Sequence, residues 1–314
     1  MADAAVHAVQ PTDAKKGINL SAAAIYVQPN NIGQVAVITS PTINPLGLSS
    51  TVKSFTPEWS PGYRLMAGYN FGTNNDIDLN WTHFNNQTNH TLSSGSGQIL
   101  GAFYIQNDLL SNQIVNNIAT NLDTTFNSVK LEFSRTFQSS ERIHARPHIG
   151  LEYAHLHQIL EQKGWYNSDT AVYDNNNIAG NFSGVGPRFG IDTIYNFGNG
   201  LAIFGNIAGS FLLGNETVQN TESYTAGNGS GRVVLEQSTS SSRNTSSIPA
   251  ASAKLGLQYT KLLNTSSLSA EAGFEVTQYW DAVSITTLSQ SSFVERGVFE
   301  YNGAFLGLKW LANA

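Results

Sequence analysis

The chain of 314 residues contains no cysteine. Disulfides and thiolate metal centres are therefore excluded. Charge is scarce as well: 12% of residues are Asp, Glu, Lys or Arg, against about 25% in a typical soluble domain. The missing charge is not replaced by apolar residues, because mean hydropathy is only -0.18. Asn, Ser, Thr, Gly and Gln fill the gap, a mixture suited to a wall whose two faces alternate between lipid and water. Long apolar runs are also missing. None approaches the roughly 18 residues of a membrane-crossing helix, which excludes helical spanning and leaves strand spanning open. A formal net charge of -6 with no Lys/Arg cluster excludes a nucleic-acid partner. Residues Met1 to Val9 lack the charged start and apolar core of a secretory signal, so the expectation is a mature form carrying an added Met.

What is present is a repeated unit: an alternating segment, a tight polar turn, a second alternating segment, then a long polar stretch. Tyr63, Leu65, Ala67 and Tyr69 share one face, and Arg64, Gly68 and Asn70 the other. After the turn Gly72-Thr73-Asn74-Asn75, Ile77, Leu79 and Trp81 alternate with Asp76, Asp78, Asn80 and Thr82. Such period-two alternation marks a strand with one wet and one dry face. The pattern recurs around Val129–Ser134, Arg146–Tyr153, Val185–Tyr195, Leu201–Leu213, Ser252–Tyr259 and Leu268–Thr277. It recurs at both ends, with Ile18, Leu20, Ala22, Ala24 and Tyr26 on one face and Ala304, Leu306, Leu308 and Trp310 on another.

Ten candidate strands of roughly 9–15 residues result, close to the ~9–11 that a tilted membrane strand requires. The connections alternate between four short turns (72–75, 138–142, 197–200, 262–267) and five polar stretches near 30–60, 85–126, 158–181, 214–247 and 282–297. Short turns at one end and long loops at the other characterise outer-membrane barrels. A strand inside the first or second long stretch would raise the count to twelve. Tyr26, Tyr63, Tyr153, Tyr195, Tyr259, Trp81, Trp280 and Trp310 fall near the strand ends, where amphipathic rings form aromatic girdles. A soluble β-sandwich would also alternate, but would carry more charge and would not need the two-sided loop asymmetry.

Three stretches resemble the Legionella major outer membrane protein family. They are Pro57-Glu58-Trp59-Ser60-Pro61-Gly62-Tyr63-Arg64, Gly184-Val185-Gly186-Pro187-Arg188-Phe189-Gly190-Ile191-Asp192 and Gly303-Ala304-Phe305-Leu306-Gly307-Leu308-Lys309-Trp310. Ala24-Ile25-Tyr26-Val27-Gln28-Pro29 is similar to that family's first strand, and the likeness runs across most of the chain. The resemblance implies an outer-membrane location, a pore-forming role and surface loops that meet host cells. Two departures accompany it. The chain has no cysteine, which removes covalent cross-linking between subunits, and Trp310 is followed by Leu311-Ala312-Asn313-Ala314, which displaces the terminal aromatic read by the barrel assembly machinery.

The faces expected to point inward carry Arg64, Lys130, Arg146, Arg188, Lys254 and Lys309 against Asp76, Asp78, Glu132, Glu152, Asp192, Glu271 and Glu275. Unpaired burial of such groups is costly, so they must pair or face water. They are candidates for an ion-selective lining or for a pairing network that fills the interior. Eight strands leave an interior just filled by side chains and sixteen an open channel; ten sit near the filled end, so a network with at most a narrow pore is expected.

His155 and His157 lie two apart and share a face, but two ligands do not complete a metal site. No Ser stands in a Gly-x-Ser-x-Gly turn, and Asp76-Ile77-Asp78 is too short for a calcium loop. No cofactor and no enzymatic activity are expected. Triplets such as Asn86-Gln87-Thr88, Asn215-Glu216-Thr217 and Asn244-Thr245-Ser246 are read as hydrated external surface rather than glycosylation sites.

The expectation is therefore an all-β protein: a closed antiparallel transmembrane barrel of about ten strands (eight to twelve) over residues 17–314, with residues 1–16 as a tail. Its turns are periplasmic and its long loops extracellular. The first functional reading is a narrow porin-like channel for small polar or ionic solutes. The alternative is a plugged barrel acting as a structural or adhesive surface protein, and a soluble all-β binding module is the third. Expected partners are outer-membrane lipid and lipopolysaccharide, the barrel assembly machinery, and host surface molecules met through the loops.

Overall fold

The computed structural model describes residues 16–32, 36–41, 51–54, 56–72, 74–93, 98–102, 117–165, 173–228, 231–287 and 293–313. Alternation becomes strand almost everywhere in them. The elements are β1 (Gly17–Ile32), β2 (Ala36–Pro41), β3 (Thr51–Ser54), β4 (Ser60–Asn70), β5 (Asn75–Ser93), β6 (Gln98–Ala102) and β7 (Asn117–Arg135), followed by β8 (Phe137–Gln138), β9 (Ile143–Trp165), β10 (Tyr173–Gly198), β11 (Leu201–Asn228), β12 (Gly231–Leu262), β13 (Ser266–Thr287) and β14 (Phe293–Asn313). Ten of these form an antiparallel cycle in the order β10, β11, β12, β13, β14, β1, β4, β5, β7, β9, and β9 pairs back onto β10. β2, β3 and β6 lie in the first two long connections and form a separate small sheet. The barrel count stays at ten.

Turn chemistry sets the short end. Gly198, Asn199 and Gly200 all have positive φ, so Asn199-Gly200 forms the left-handed hairpin turn that matches strand twist. At the same end, Gly17 of β1 pairs with Asn313 of β14.

Above that end the outer wall is apolar. Ile149, Leu151, Phe189, Ile207, Leu255, Leu306 and Leu308 are all more than half exposed. Registers place them side by side: Phe133 opposite Ile149, Ile149 opposite Phe189, Leu255 opposite Phe274. A soluble protein would hide such a surface. On β9 the belt runs from Ile143 to Tyr153; at about 3.4 Å per residue and a tilt near 40°, that height is roughly 25 Å, the thickness of a barrel's lipid-facing band.

The strands do not stop at the top of this belt. β9, β10, β11, β12 and β13 run for 22 to 32 residues, so the expected length of roughly 9–15 residues is corrected upward. Much of what reads as loop in 85–126, 158–181, 214–247 and 282–297 is strand. The cause is an inversion of polarity at unchanged period. On β9, His148 and Glu152 point inward and Ile149 and Leu151 outward; a few residues further along, Leu156 and Leu160 are buried inside while His155 and His157 face out. β7 does the same, with Leu131 and Phe133 outside but Ile118, Leu122 and Phe126 inside. The upper barrel is built like a water-soluble one standing on a membrane-spanning base. Tyr153, Trp81 and Trp280 therefore sit within strands, at the upper edge of the belt, rather than near strand ends, whereas Tyr63 lies near the start of β4. Asn86 and Thr88, read as external, face inward and are buried.

The inversion makes a direct prediction. Ile149→Arg, mid-belt, is expected to cost about 2–4 kcal/mol, whereas Ile159→Arg, on the same wall above the belt, should cost under about 1 kcal/mol. Urea titration of each variant refolded in lipid vesicles measures both.

Candidate functional site

Inward-facing positions of the lower barrel hold the charges. Small residues make room for them: Gly150 and Gly186 flank Arg188 and Glu152 in the β9–β10 register. A Cβ at either glycine would fall within 2 Å of the neighbouring strand's carbonyl oxygen, Leu131 for Gly150 and Phe211 for Gly186. The main chains approach so closely there that only glycine fits.

Arg188 is the hub. Its Nε donates to Glu132 Oε1 at 2.7 Å, and its Nη1 donates to Glu152 Oε2 and Ser210 Oγ, both at 3.1 Å. Nη2 donates to Ser252 Oγ at 3.1 Å. Glu152 is 1% exposed. It also accepts from Ser128 Oγ at 3.0 Å and Tyr279 Oη at 2.8 Å, and Lys130 Nζ lies 3.9 Å away. With every oxygen partnered, the carboxylate is tolerable out of water. A second cluster centres on Arg146, which binds Asp76, Asp78 and Asp192, the last at 2.5 Å. A third joins Arg64 to Glu275 at 2.5 Å, with Lys254 3.8 Å from the same carboxylate. Asp78 and Glu132 stand directly opposite each other in the β5–β7 register; Arg146 and Arg188 separate their like charges.

Twelve of the thirteen charged residues singled out from sequence border one cavity of about 590 Å³, and Glu152 is buried beside it. The cavity reaches down to the short turns at Asn70, Thr136, Asn196 and Asn264. Lys309 and Glu271 line it without a salt bridge among the described residues. It is a polar, charged vestibule at the short-turn end of the barrel.

Above the vestibule is a layer that alternation at the lower strand ends does not reveal. Phe84, Phe126, Phe182, Tyr279, Phe299 and Tyr301 are each at most 2% exposed. Phe126 of β7 meets Tyr279 of β13 at 5.6 Å between ring centroids, Phe299 of β14 at 5.6 Å and Tyr301 at 5.2 Å. β7 and β13 are diametrically opposed in the ten-strand cycle. Rings from opposite walls touch, so the lumen is closed at this height. The available sequence signal was the spacing Ile118, Leu122, Phe126 and Ala154, Leu156, Leu160 within polar surroundings.

His144 and His148 face the lumen and His155 and His157 the outer wall, so the histidine-rich run is split between two faces. No group of three or more candidate metal ligands clusters among the described residues.

The lipid-facing belt, the closed ten-strand cycle and the charged interior describe a bacterial outer-membrane barrel. The chain matches the family described as Legionella pneumophila major outer membrane protein precursor over residues 10–312. The chain belongs to that family. No curated protein matches it. Among solved structures, the outer membrane protease OmpT from Escherichia coli aligns at 10% identity over 94% of this chain and 96% of that one, with a TM-score of 0.42. The CymD monoaromatic hydrocarbon channel aligns at 10% identity over 96% and 89%, TM-score 0.34. The translocator domain of autotransporter NalP from Neisseria meningitidis aligns at 10% over 95% and 89%, TM-score 0.29. Similarity this distant carries nothing about activity.

For this family member the hub arginine has a defined energetic role. Arg188→Met leaves Glu132 and Glu152 buried with their main cation gone and is expected to cost about 3–5 kcal/mol. Adding Glu132→Gln should recover part of that loss, and chemical unfolding of both variants in vesicles compares them.

Proposed function

We propose that the protein is a closed outer-membrane barrel serving as a structural and adhesive surface protein, its working surface being the upper barrel and the connections it carries. The observation behind this reading is the contact of Phe126 with Tyr279 and Phe299 across the lumen. Below it, Tyr279 hydrogen-bonds Glu152 across the barrel, so rings and polar groups brace the same walls. An apolar constriction of this kind excludes water as well as ions. The reading is non-enzymatic: the buried carboxylates are held by cations as struts, which removes them from proton transfer.

A second reading, the narrow porin-like channel for small polar or ionic solutes, is favoured by the charged vestibule of about 590 Å³. It requires the ring layer to part.

Reconstitution into planar lipid bilayers separates the two. The closed barrel is expected to insert without stepwise conductance, and Phe126→Ala with Phe299→Ala is expected to create steps. Stable conductance from the unmodified chain would replace the first reading with the second. Arg188→Glu then adds a check, since a conducting lumen should change its anion/cation preference while a plugged one should only lose stability.

A further inference from the structure

Immediately above the lipid-facing belt, one sector of the outer wall differs from the rest. The β4–β5, β5–β7 and β7–β9 registers bring Tyr63, His83, Asn127 and His155 into a single row. Trp81 adjoins it from below, and His157 is the next outward residue above His155 on β9. All of these side chains face outward.

The row is organised. Tyr63 meets Trp81 edge-on at 5.1 Å and His83 at 5.2 Å. Asn127 Oδ1 accepts from Trp81 Nε1 at 3.4 Å and lies 2.9 Å from His83 Nδ1. That carbonyl oxygen needs a proton on Nδ1, which leaves Nε2 as the ring's free nitrogen. His83 and His155 are separated by one intervening strand, about 10 Å at the usual strand spacing. Elsewhere around the barrel, just above the belt, the wall carries Gln278 hydrogen-bonded to Glu300; on this side the outward carboxylates Asp123 and Glu161 stand higher, on β7 and β9. Burial and the neighbouring His157 hold the His155 pKa below the usual histidine value, so a bound anion is what would draw a proton onto that ring.

We propose that the Tyr63–Trp81–His83–His155–His157 sector binds the phosphorylated saccharide headgroup of an outer-leaflet glycolipid. The height fits, because the sector lies where acyl chains give way to headgroups. The chemistry fits on two counts. Aromatic faces accept the C–H side of a sugar ring while imidazoles meet its phosphates, and a phosphate beside an imidazole favours the form with two N–H donors. Two imidazoles about 10 Å apart suit a headgroup with phosphates at both ends. The proposal rests on the outer-membrane placement alone and holds whether the lumen is closed or conducting.

The test uses the full chain refolded in detergent and exposed to lipopolysaccharide, to dephosphorylated lipopolysaccharide, and to phosphatidylglycerol. Bound lipid is read by native mass spectrometry. The unmodified protein is expected to retain lipopolysaccharide over both competitors. His83→Gln with His155→Gln and His157→Gln should weaken retention at least about tenfold through lost charge-assisted hydrogen bonds. Phe197→Ala, at the opposite edge of the belt, should leave it unchanged. Equal retention by the triple variant overturns the proposal, and so does phosphatidylglycerol held as well as lipopolysaccharide. Histidine-ring NMR on the unmodified chain does not depend on any variant folding. Lipopolysaccharide must shift the His83 and His155 signals and spare those of His144 and His148 inside the barrel; the reverse pattern, or no shift, also overturns it.

Discussion

Everything in this molecule depends on the closure of one hydrogen-bonded cycle. In hydrocarbon no water is present to satisfy a main-chain N–H or C=O, so a sheet can cross only if it has no edge. β9 pairing with β10 and β1 pairing with β14 complete that circle. Once closed, ten strands define an interior too narrow to hold bulk water throughout and too polar at its base to be packed with hydrocarbon alone. The charges and rings inside are the two answers to that single geometric constraint.

The two answers occupy different heights for a physical reason. At belt height the outer wall must be apolar, and strict alternation then puts the polar residues inside, where Arg188, Arg146 and Arg64 neutralise the carboxylates around them. Above the belt the outer wall meets water. Polarity can invert there without changing the strand period, and the interior can use rings and aliphatic side chains. Glu152 marks the frontier, held by Arg188 from the polar side and by Tyr279 from the aromatic side. The lower interior is filled by charges that must stay paired, and the upper one by rings and aliphatic side chains among buried Gln, Asn and Thr.

This division also explains what the sequence did and did not reveal. Leu131, Glu132 and Phe133 show their strand openly, because apolar residues outside contrast with charge inside, and ten strands with short turns at one end follow from repeating that contrast. The upper strands show a weaker signal. Their outward residues are Asn, Thr and His and many inward ones are Gln, Asn and Thr, so the alternation between Gln158 and Gln162 resembles a polar loop. The inward charges could be named from parity alone. Their partners could not, since pairing Arg188 with Glu132 and Ser252 depends on how the tilted strands stagger around the circle, and no local pattern encodes that stagger. The cross-lumen meeting of Phe126 and Tyr279 was hidden for the same reason, lying between residues 153 positions apart in the chain.

The β1–β14 register has a consequence in time as well as in space. Gly17 finds its partner at Asn313, so the first strand made must wait for the last. Until then two long edges stay unsatisfied, each a template for a strand from any neighbouring chain. Contacts of such separation close slowly, because the loop entropy is paid before the pairing rewards it. The barrel's most vulnerable moment is therefore the interval before its seam forms, and that seam is the pairing of its two terminal strands.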